Sequence, residues 1–399
     1  MTPLRQELLE AARFLPRHRE RSRRERMLPL DDLIEDARLN HKMAGGVLDM
    51  ILMGYRLHAA FLTELRRFNT EPLRPLELED LLAVTFAAMV TRTQTAPEVL
   101  SSEAVEAAKK AFGPACTGFV NAFCRQLSPQ LPALRERLAF SPIELLGTHR
   151  DRLSRVPGIE RLARALLVRP EPGVWAFGPE GKLERHDVSE FEGKHLQAMD
   201  PGSWDLAQLW ADKLKRLPEG ATVLDACAAP GGKFIAAQVL AARPDLRFYA
   251  TDSKFPRLQR LKENLARWGF DAPTALHAWG MDKWPSMSAP GWPTSFDAIL
   301  ADLPCTGSGT LHTRPDVLLS DFRERLEGLR PLQSSILKAL IDLKPQLLVV
   351  SVCSVDPAEI DGISGDLGRN PDARSLERLP PDVVGEGITT WVRARPRVK

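Results

Sequence analysis

The chain has 399 residues, 44% hydrophobic and 27% charged. That is too long for one ordinary domain, and the balance excludes global disorder, collagen-like repetition and a disulfide scaffold. Lys and Arg number 54 against 52 Asp and Glu, a net charge of +2, so any contact with a nucleic acid must come from basic residues concentrated locally. Five cysteines (Cys116, Cys124, Cys227, Cys305 and Cys353) stand far apart with no C-x-x-C spacing. Neither a structural zinc site nor any other metal is expected, and such thiols fit a reducing compartment. No apolar signal core follows the N-terminus, and no run of about 18 apolar residues offers a membrane span. A cytoplasmic location is the expectation.

The first elements read as helices. Arg13 to Arg26 carries seven arginines against two glutamates, which suits either a solvated helix or a phosphate-contacting surface. Apolar residues then recur at helical spacing from Asp31 to Phe68, and another apolar helix runs from Leu76 through Val90. Ser101 or Ser102 is placed to cap a helix over Glu103–Lys110, and Gly118 begins a further short helix. No strand signal interrupts the region, so residues 1–140 are expected to form an all-α domain. Residues 141–202 are rich in turn signals (Val156-Pro157-Gly158, Pro170-Glu171-Pro172-Gly173, Gly178-Pro179-Glu180-Gly181) and read as a connector with a small α/β subdomain.

From 203 to 399 the pattern is strand–helix alternation. Strands are expected at 221–225, 247–251, 274–278, 296–301 and 346–352, with a late edge strand at 388–394. Helices are expected at 234–242, 255–268 and 321–343. This alternation argues for a parallel sheet with helices on both faces.

The turn after the first of these strands, Asp225-Ala226-Cys227-Ala228-Ala229-Pro230-Gly231-Gly232-Lys233, places two glycines at a helix entrance, where backbone amides face a ligand closely. It is neither a P-loop nor G-x-G-x-x-G. Asp252 ends the second strand, where a carboxylate takes a ribose hydroxyl pair, and Asp282 after the third can read an adenine edge. Ribose and adenine without a pyrophosphate point to S-adenosylmethionine. The fourth and fifth strands end at Asp302-Leu303-Pro304-Cys305 and Ser351-Val352-Cys353. Parallel strands deliver their carboxyl ends to one crevice, so both thiols are expected beside the cofactor turn. A thiolate adding to carbon 6 of a pyrimidine activates carbon 5 toward the sulfonium methyl. Asp302 would bind the ring-nitrogen edge of cytosine as charge develops. Cys116 and Cys124 read as ordinary helix residues, and Cys227 as packing beneath the cofactor.

These residues resemble bacterial RNA 5-methylcytosine methyltransferases of the small-subunit ribosomal RNA RsmB (Sun/Fmu) type. The resemblance is carried by DACAAPGGK (225–233), ADLPCTGSGT (301–310), RPD (314–316) and SVCSVDPAE (351–359), with EAVEAAKK (103–110) and GFVNA (118–122) resembling a NusB-like RNA-binding domain. A weakened Q-D-x-x-S stretch follows Gln197. The resemblance implies a NusB-like all-α domain followed by a Rossmann-like, seven-stranded methyltransferase domain. It implies cofactor contacts from Cys227, Ala228, Ala229, Pro230, Gly231, Gly232 and Lys233, with Asp252, Asp282 and Asp302. It also implies Cys353 as nucleophile, Cys305 assisting product release, RNA as partner, and a monomer. The sequence departs from the family at Val352 (usually Thr), His312-Thr313 (usually a basic pair), Ile360 (usually Asn) and Gly387-Ile388-Thr389-Thr390 (usually Gly-Phe-Phe).

Two other readings start from the same residues. In a DNA cytosine methyltransferase the nucleophile would follow Pro304, at Cys305. A non-catalytic RNA-binding or ribosome-assembly protein would keep the fold with a degenerate site.

Overall fold

The structure is a computed structural model, and the residues it describes are 2–24, 44–168, 174–187, 195–270, 275–277, 292–368, 375–379 and 389–394. They divide into two compact units, one of residues 1–170 with 311–321 and one of 171–310 with 322–399. This differs from the three-way division expected from sequence. The 141–202 connector is shared between the units, and Leu311–Asp321, inside the expected catalytic domain, belongs to the first unit.

The first unit is all helical: α1 (Pro3–Arg24), α2 (Ala44–Arg56), α3 (His58–Phe68), α4 (Glu77–Thr91), α5 (Pro97–Phe112), α6 (Thr117–Leu127), α7 (Leu131–Phe140), α8 (Arg150–Leu153) and α9 (Ile159–Ala165), with intervening 3-10 turns. Helix α4 is buried continuously from Leu78 to Val90 apart from Glu79. A helix apolar all round belongs in a core. Phe61 of α3 packs tilted against Phe86 of α4 and edge-on against Phe123 of α6. The cap expected at Ser101 or Ser102 is not one. Helix α5 starts earlier, with Pro97 in its first turn, and both serines lie inside it. Pro97 fits there because the first-turn amide has no helical acceptor to lose. Arg56 is fully buried and donates to Met53 Sδ and to the carbonyls of Val168 and His312. Burial lowers its pKa to about 10, against the pull of Asp49. His149 Nε2 meets the Leu318 carbonyl at 3.1 Å, so two side chains of this unit hold the 311–321 segment.

The second unit begins with a small antiparallel sheet, β1 (Val174–Phe177), β2 (Leu183–His186) and β3 (Gln197–Ala198), in the order β2-β1-β3. Helix α10 (Pro201–Leu214) follows, capped by Asp200, whose carboxylate accepts from the Ser203 amide at 2.6 Å. The main sheet contains β4 (Thr222–Asp225), β5 (Arg247–Thr251), β6 (Ala275–His277), β7 (Ala298–Asp302), β8 (Leu347–Val352), β9 (Ser375–Leu379) and β10 (Thr389–Ala394). Its seven strands run β6-β5-β4-β7-β8-β10-β9. The first five are parallel, while β10 pairs antiparallel to both β8 and β9. The last strand is therefore interior, and the edge is β9, a strand not read from the sequence.

Helices α11 (Gly232–Ala241), α12 (Phe255–Arg267), α13 (Phe322–Asp342) and α14 (Pro357–Gly368) complete the unit. Strand residues alternate between two cores: Val223, Leu300 and Val349 pack with α10–α12, and Leu224, Ile299 and Val350 with α13 and α14. Period-two alternation into two apolar layers is why these strands read as continuous apolar runs. Strand order reverses between β4 and β7, which opens a crevice at their carboxyl ends. No helix among the described residues is long and apolar enough to cross a membrane.

Candidate active site

The turn from β4 into α11 is fixed by backbone contacts. Ala226 donates to the Leu300 carbonyl at 2.8 Å and Ala228 to that of Thr251 at 2.9 Å, tying the turn to the strands on either side. Ala229–Pro230 is a cis peptide. Arg257 on α12 donates to the Ala229 carbonyl, and Asn264 to that of Pro230 at 3.0 Å. Gly231 has φ 108°, and a Cβ there would lie 2.4 Å from Leu261 Cδ1. Glycine is needed for both conformation and space. The first amides of α11 have no acceptor within the helix, so this end offers donors to a ligand. Asp252 is 3% exposed at the end of β5, where Oδ1 accepts from the Lys254 amide at 3.1 Å and Oδ2 faces Arg257 at 3.4 Å. Open amides at a helix start beside a strand-end carboxylate supply the donors and acceptor that an adenosyl ligand takes. Asp282 lies outside the described residues.

Charges concentrate at the switch point. Lys233 Nζ pairs with Asp302 Oδ2 at 2.8 Å, and Ser351 Oγ donates to Asp302 Oδ1 at 2.8 Å. Burial works against the Lys233 charge, but Asp302 and Asp200 outweigh it and hold the ammonium above its ordinary pKa. The Lys233 side chain therefore serves Asp302, leaving its backbone amide toward the turn. Asp225, buried beside them, has its pKa raised to about 7 by desolvation first and then by Asp302. Burial, followed by the charges of Asp225 and Asp252, keeps the Cys227 thiol well above its usual range. Burial likewise raises Cys124 in the helical unit to about 11.

The two thiols expected to converge do so. Cys305 Sγ and Cys353 Sγ are 2.8 Å apart, and all five cysteines are free. The hydrogen bond to Cys353 pushes the Cys305 thiol well up; burial and the charges of Cys353, Glu359 and Asp302 act in the same direction. Register places Asp302 beside Ser351, and the Leu303 amide donates to the Ser351 carbonyl at 2.9 Å. The two loops thus leave the sheet side by side. Beneath them lies a polar group not read from the sequence: Thr306, Ser308, Gln333, Ser354 and Glu359, all fully buried. Only Ser354 and Thr306 adjoin a cysteine in sequence, and Gln333 and Glu359 belong to α13 and α14.

The departures from the family pattern fall into place structurally. Val352 and Ile360 are buried in the apolar core on the α13–α14 side. The strand alternation that sends Ser351 to Asp302 sends Val352 into that core, so its missing hydroxyl is not taken from the site. His312 lends its carbonyl to Arg56, and Arg314 makes a two-bonded pair with buried Asp316 at 2.9 and 2.8 Å. Thr389 Oγ1 donates to the Ser354 carbonyl at 3.1 Å, whereas Gly387 and Ile388 lie outside the described residues. In the arginine-rich stretch, helix α1 runs to Arg24 and Arg13 pairs with Glu10 at 3.3 Å. The side chains of Arg17 to Arg26 lie outside the described residues.

Known proteins align with this chain through these features. A family model described as "16S rRNA methyltransferase RsmB/F" matches residues 213–393. Ribosomal RNA small subunit methyltransferase B of Xanthomonas campestris pv. campestris is 30% identical over 354 residues, covering 80% of this chain and 78% of that protein. The protein of the same name from Cronobacter sakazakii is 35% identical over 184 residues, covering 42% and 41%. That from Pseudomonas syringae pv. tomato is 38% identical over 178 residues, covering 43% and 38%. With these last two, the chain matches about two fifths of the relative's length. The crystal structure of PH0851 superposes with a TM-score of 0.68 over 99% of both chains at 16% identity, a likeness of fold. The chain belongs to the RsmB/F family of 16S rRNA methyltransferases.

Proposed function

We propose that the protein methylates carbon 5 of a cytidine in RNA, in the small-subunit ribosomal RNA of the cytoplasm, through a covalent adduct on Cys353, with Cys305 assisting product release. The observation that carries this reading is the pair of free thiols 2.8 Å apart, beside the Lys233–Asp302 pair at the carboxyl ends of β7 and β8. The cofactor is S-adenosylmethionine, which supplies the methyl group from a sulfonium. The Cys227–Lys233 turn and Asp252 would hold it, with Asp282 completing the adenine side.

Cys353 sulfur, as thiolate, forms a bond to carbon 6 of the base, and the displaced electron pair moves toward carbon 5 and the ring-nitrogen edge. Asp302, kept in place by Lys233 and Ser351, would deliver a proton to that nitrogen as the adduct forms and take it back when the adduct breaks down. After carbon 5 has gained its methyl group and lost its proton to a base, the carbon–sulfur bond breaks and its electrons return to Cys353. The Cys305 S–H stabilises that departing sulfur by donating to it. The all-helical first unit, NusB-like in its sequence motifs, would bind the RNA.

The two thiols separate this reading from its rivals. Cys353→Ala should abolish the denaturation-resistant RNA adduct, whereas Cys305→Ala should let it accumulate, both read on gels after incubation with ribosomal RNA and cofactor. The opposite pattern would assign the nucleophile to Cys305. If labelled cofactor transferred no methyl group despite tight RNA binding, the non-catalytic reading would stand.

A further inference from the structure

The polar group beneath the thiol loops is organised around Glu359, which is fully buried on α14. Its carboxylate accepts from the Thr306 amide at 3.1 and 3.3 Å, from Thr306 Oγ1 at 2.6 Å and from Gln333 Nε2 at 2.7 Å. Every one of these partners is a donor, the surroundings an ionised carboxylate satisfies. Gln333 Nε2 also donates to the Pro304 carbonyl at 2.8 Å. The peptide groups before and after Cys305 are thus both tied to one carboxylate, one directly and one through Gln333. The second loop is tied to the same centre. Ser354 Oγ lies 3.2 Å from Thr306 Oγ1 and 2.9 Å from Ser308 Oγ, which accepts from the amides of Val355 and Asp356 at 3.0 and 3.1 Å. The Gly309 amide donates to the Cys353 carbonyl at 3.1 Å.

We propose that Glu359 is a positioning residue for the thiol pair: it fixes the backbone on both sides of Cys305 and holds that thiol against Cys353. The inference deepens the methyl-transfer reading and rests on it for its catalytic consequence. Glu359 touches neither reacting sulfur, and acts through Thr306 and Gln333. The Cys353 hydrogen bond and burial raise the Cys305 thiol most, and the nearby Glu359 carboxylate acts in the same direction.

The test uses the full chain with Glu359→Gln and Glu359→Asp. Cys305 alkylation by iodoacetamide is followed by peptide mass mapping across a pH series, alongside steady-state methylation of ribosomal RNA. Glu359→Gln should shift the Cys305 alkylation midpoint to lower pH, with a severalfold faster reaction at neutral pH. It should also lower kcat about tenfold or more with KM for RNA unchanged. Glu359→Asp keeps the charge and should restore the wild-type midpoint. An unshifted midpoint in a folded Glu359→Gln protein, or a wild-type kcat, overturns the proposal. Should Glu359→Gln fail to fold, Thr306→Val removes the shortest bond to the carboxylate and keeps the amide bond. A fall in kcat at constant KM then supports the proposal, and a wild-type kcat overturns it. Alkylation needs neither RNA nor cofactor. An absent RNA adduct in the wild-type protein would count against methyl transfer while leaving a shifted Cys305 midpoint intact.

Discussion

The two halves of the candidate site are built by different means. The cofactor turn depends on backbone: a glycine at φ 108°, a proline, carbonyls taken by Arg257 and Asn264, and Asp225 and Asp252 at the ends of β4 and β5. The thiol loops depend on buried polar groups: one hydroxyl, one backbone amide and one side-chain amide converge on the Glu359 carboxylate, with no cation bonded to it among the described residues. A loop that must let a ligand approach its backbone is shaped by residues without side chains in the way. A loop that must hold a sulfur atom in place is braced from behind. Lys233 joins the halves: it starts in the turn and ends on Asp302, which Ser351 holds at the end of β8.

That joint is where the largest effect is expected. Lys233→Met leaves the Asp302 carboxylate facing Asp225 with no counter-charge. Losing that counter-charge should slow methyl transfer about 30- to 150-fold, roughly 2–3 kcal/mol of barrier. Single-turnover methyl transfer measures it, and a rate within about threefold of wild type would show that the pair is structural only. Gly231→Ala should act on one half alone. The added Cβ meets Leu261 and the positive φ is strained, at a cost of about 1–3 kcal/mol. Cofactor affinity by calorimetry should fall roughly tenfold, with the Cys305 alkylation profile unchanged. If that profile moved as well, the two halves would be one mechanical unit and the contrast would fail.

The same contrast explains what the sequence made legible. The five parallel strands fell within about two residues of their expected bounds, because strands buried on both faces are apolar throughout. Gly231, Gly232 and the strand-end aspartates were readable, because turn chemistry is local and the topology carries strand ends to one crevice. The convergence of Cys305 and Cys353 followed from the same rule. Glu359 and Gln333 could not be found this way: they sit on helices, and nothing in a helical sequence says which buried polar residue will meet a loop from another strand. Glu359 did stand inside a motif, where it read as family pattern without a partner. Strand β9 was missed because Ser375-Leu376-Glu377-Arg378-Leu379 lacks β-branched residues and alternation is short. The assignment of Leu311–Asp321 to the helical unit depends on Arg56 and His149, side chains remote in sequence.

The smallest expected effect concerns the charge balance of the cofactor half, and it appears in stability alone. Asp225 is pushed from 3.8 to about 7, by burial first and then by Asp302, while the Cys227 amide and Lys233 pull the other way. An acid whose folded pKa is raised binds its proton more tightly when folded, so it imposes no penalty below the unfolded value near 4. Between there and about 7 the unfolded chain has lost a proton that the folded chain keeps, and stability declines as pH rises. Above 7 the buried charge is fully present and the penalty is complete. Asp225→Asn removes that titration and preserves an oxygen for the Cys227 amide, now received at 3.3 Å. The variant should melt a few degrees above wild type at pH 8, with the gap closing as pH falls toward 4. Equal melting temperatures across that range would mean that Lys233 already neutralises Asp225, making the cofactor half a balanced ion cluster instead of one carrying a surplus negative charge until a cofactor sulfonium arrives.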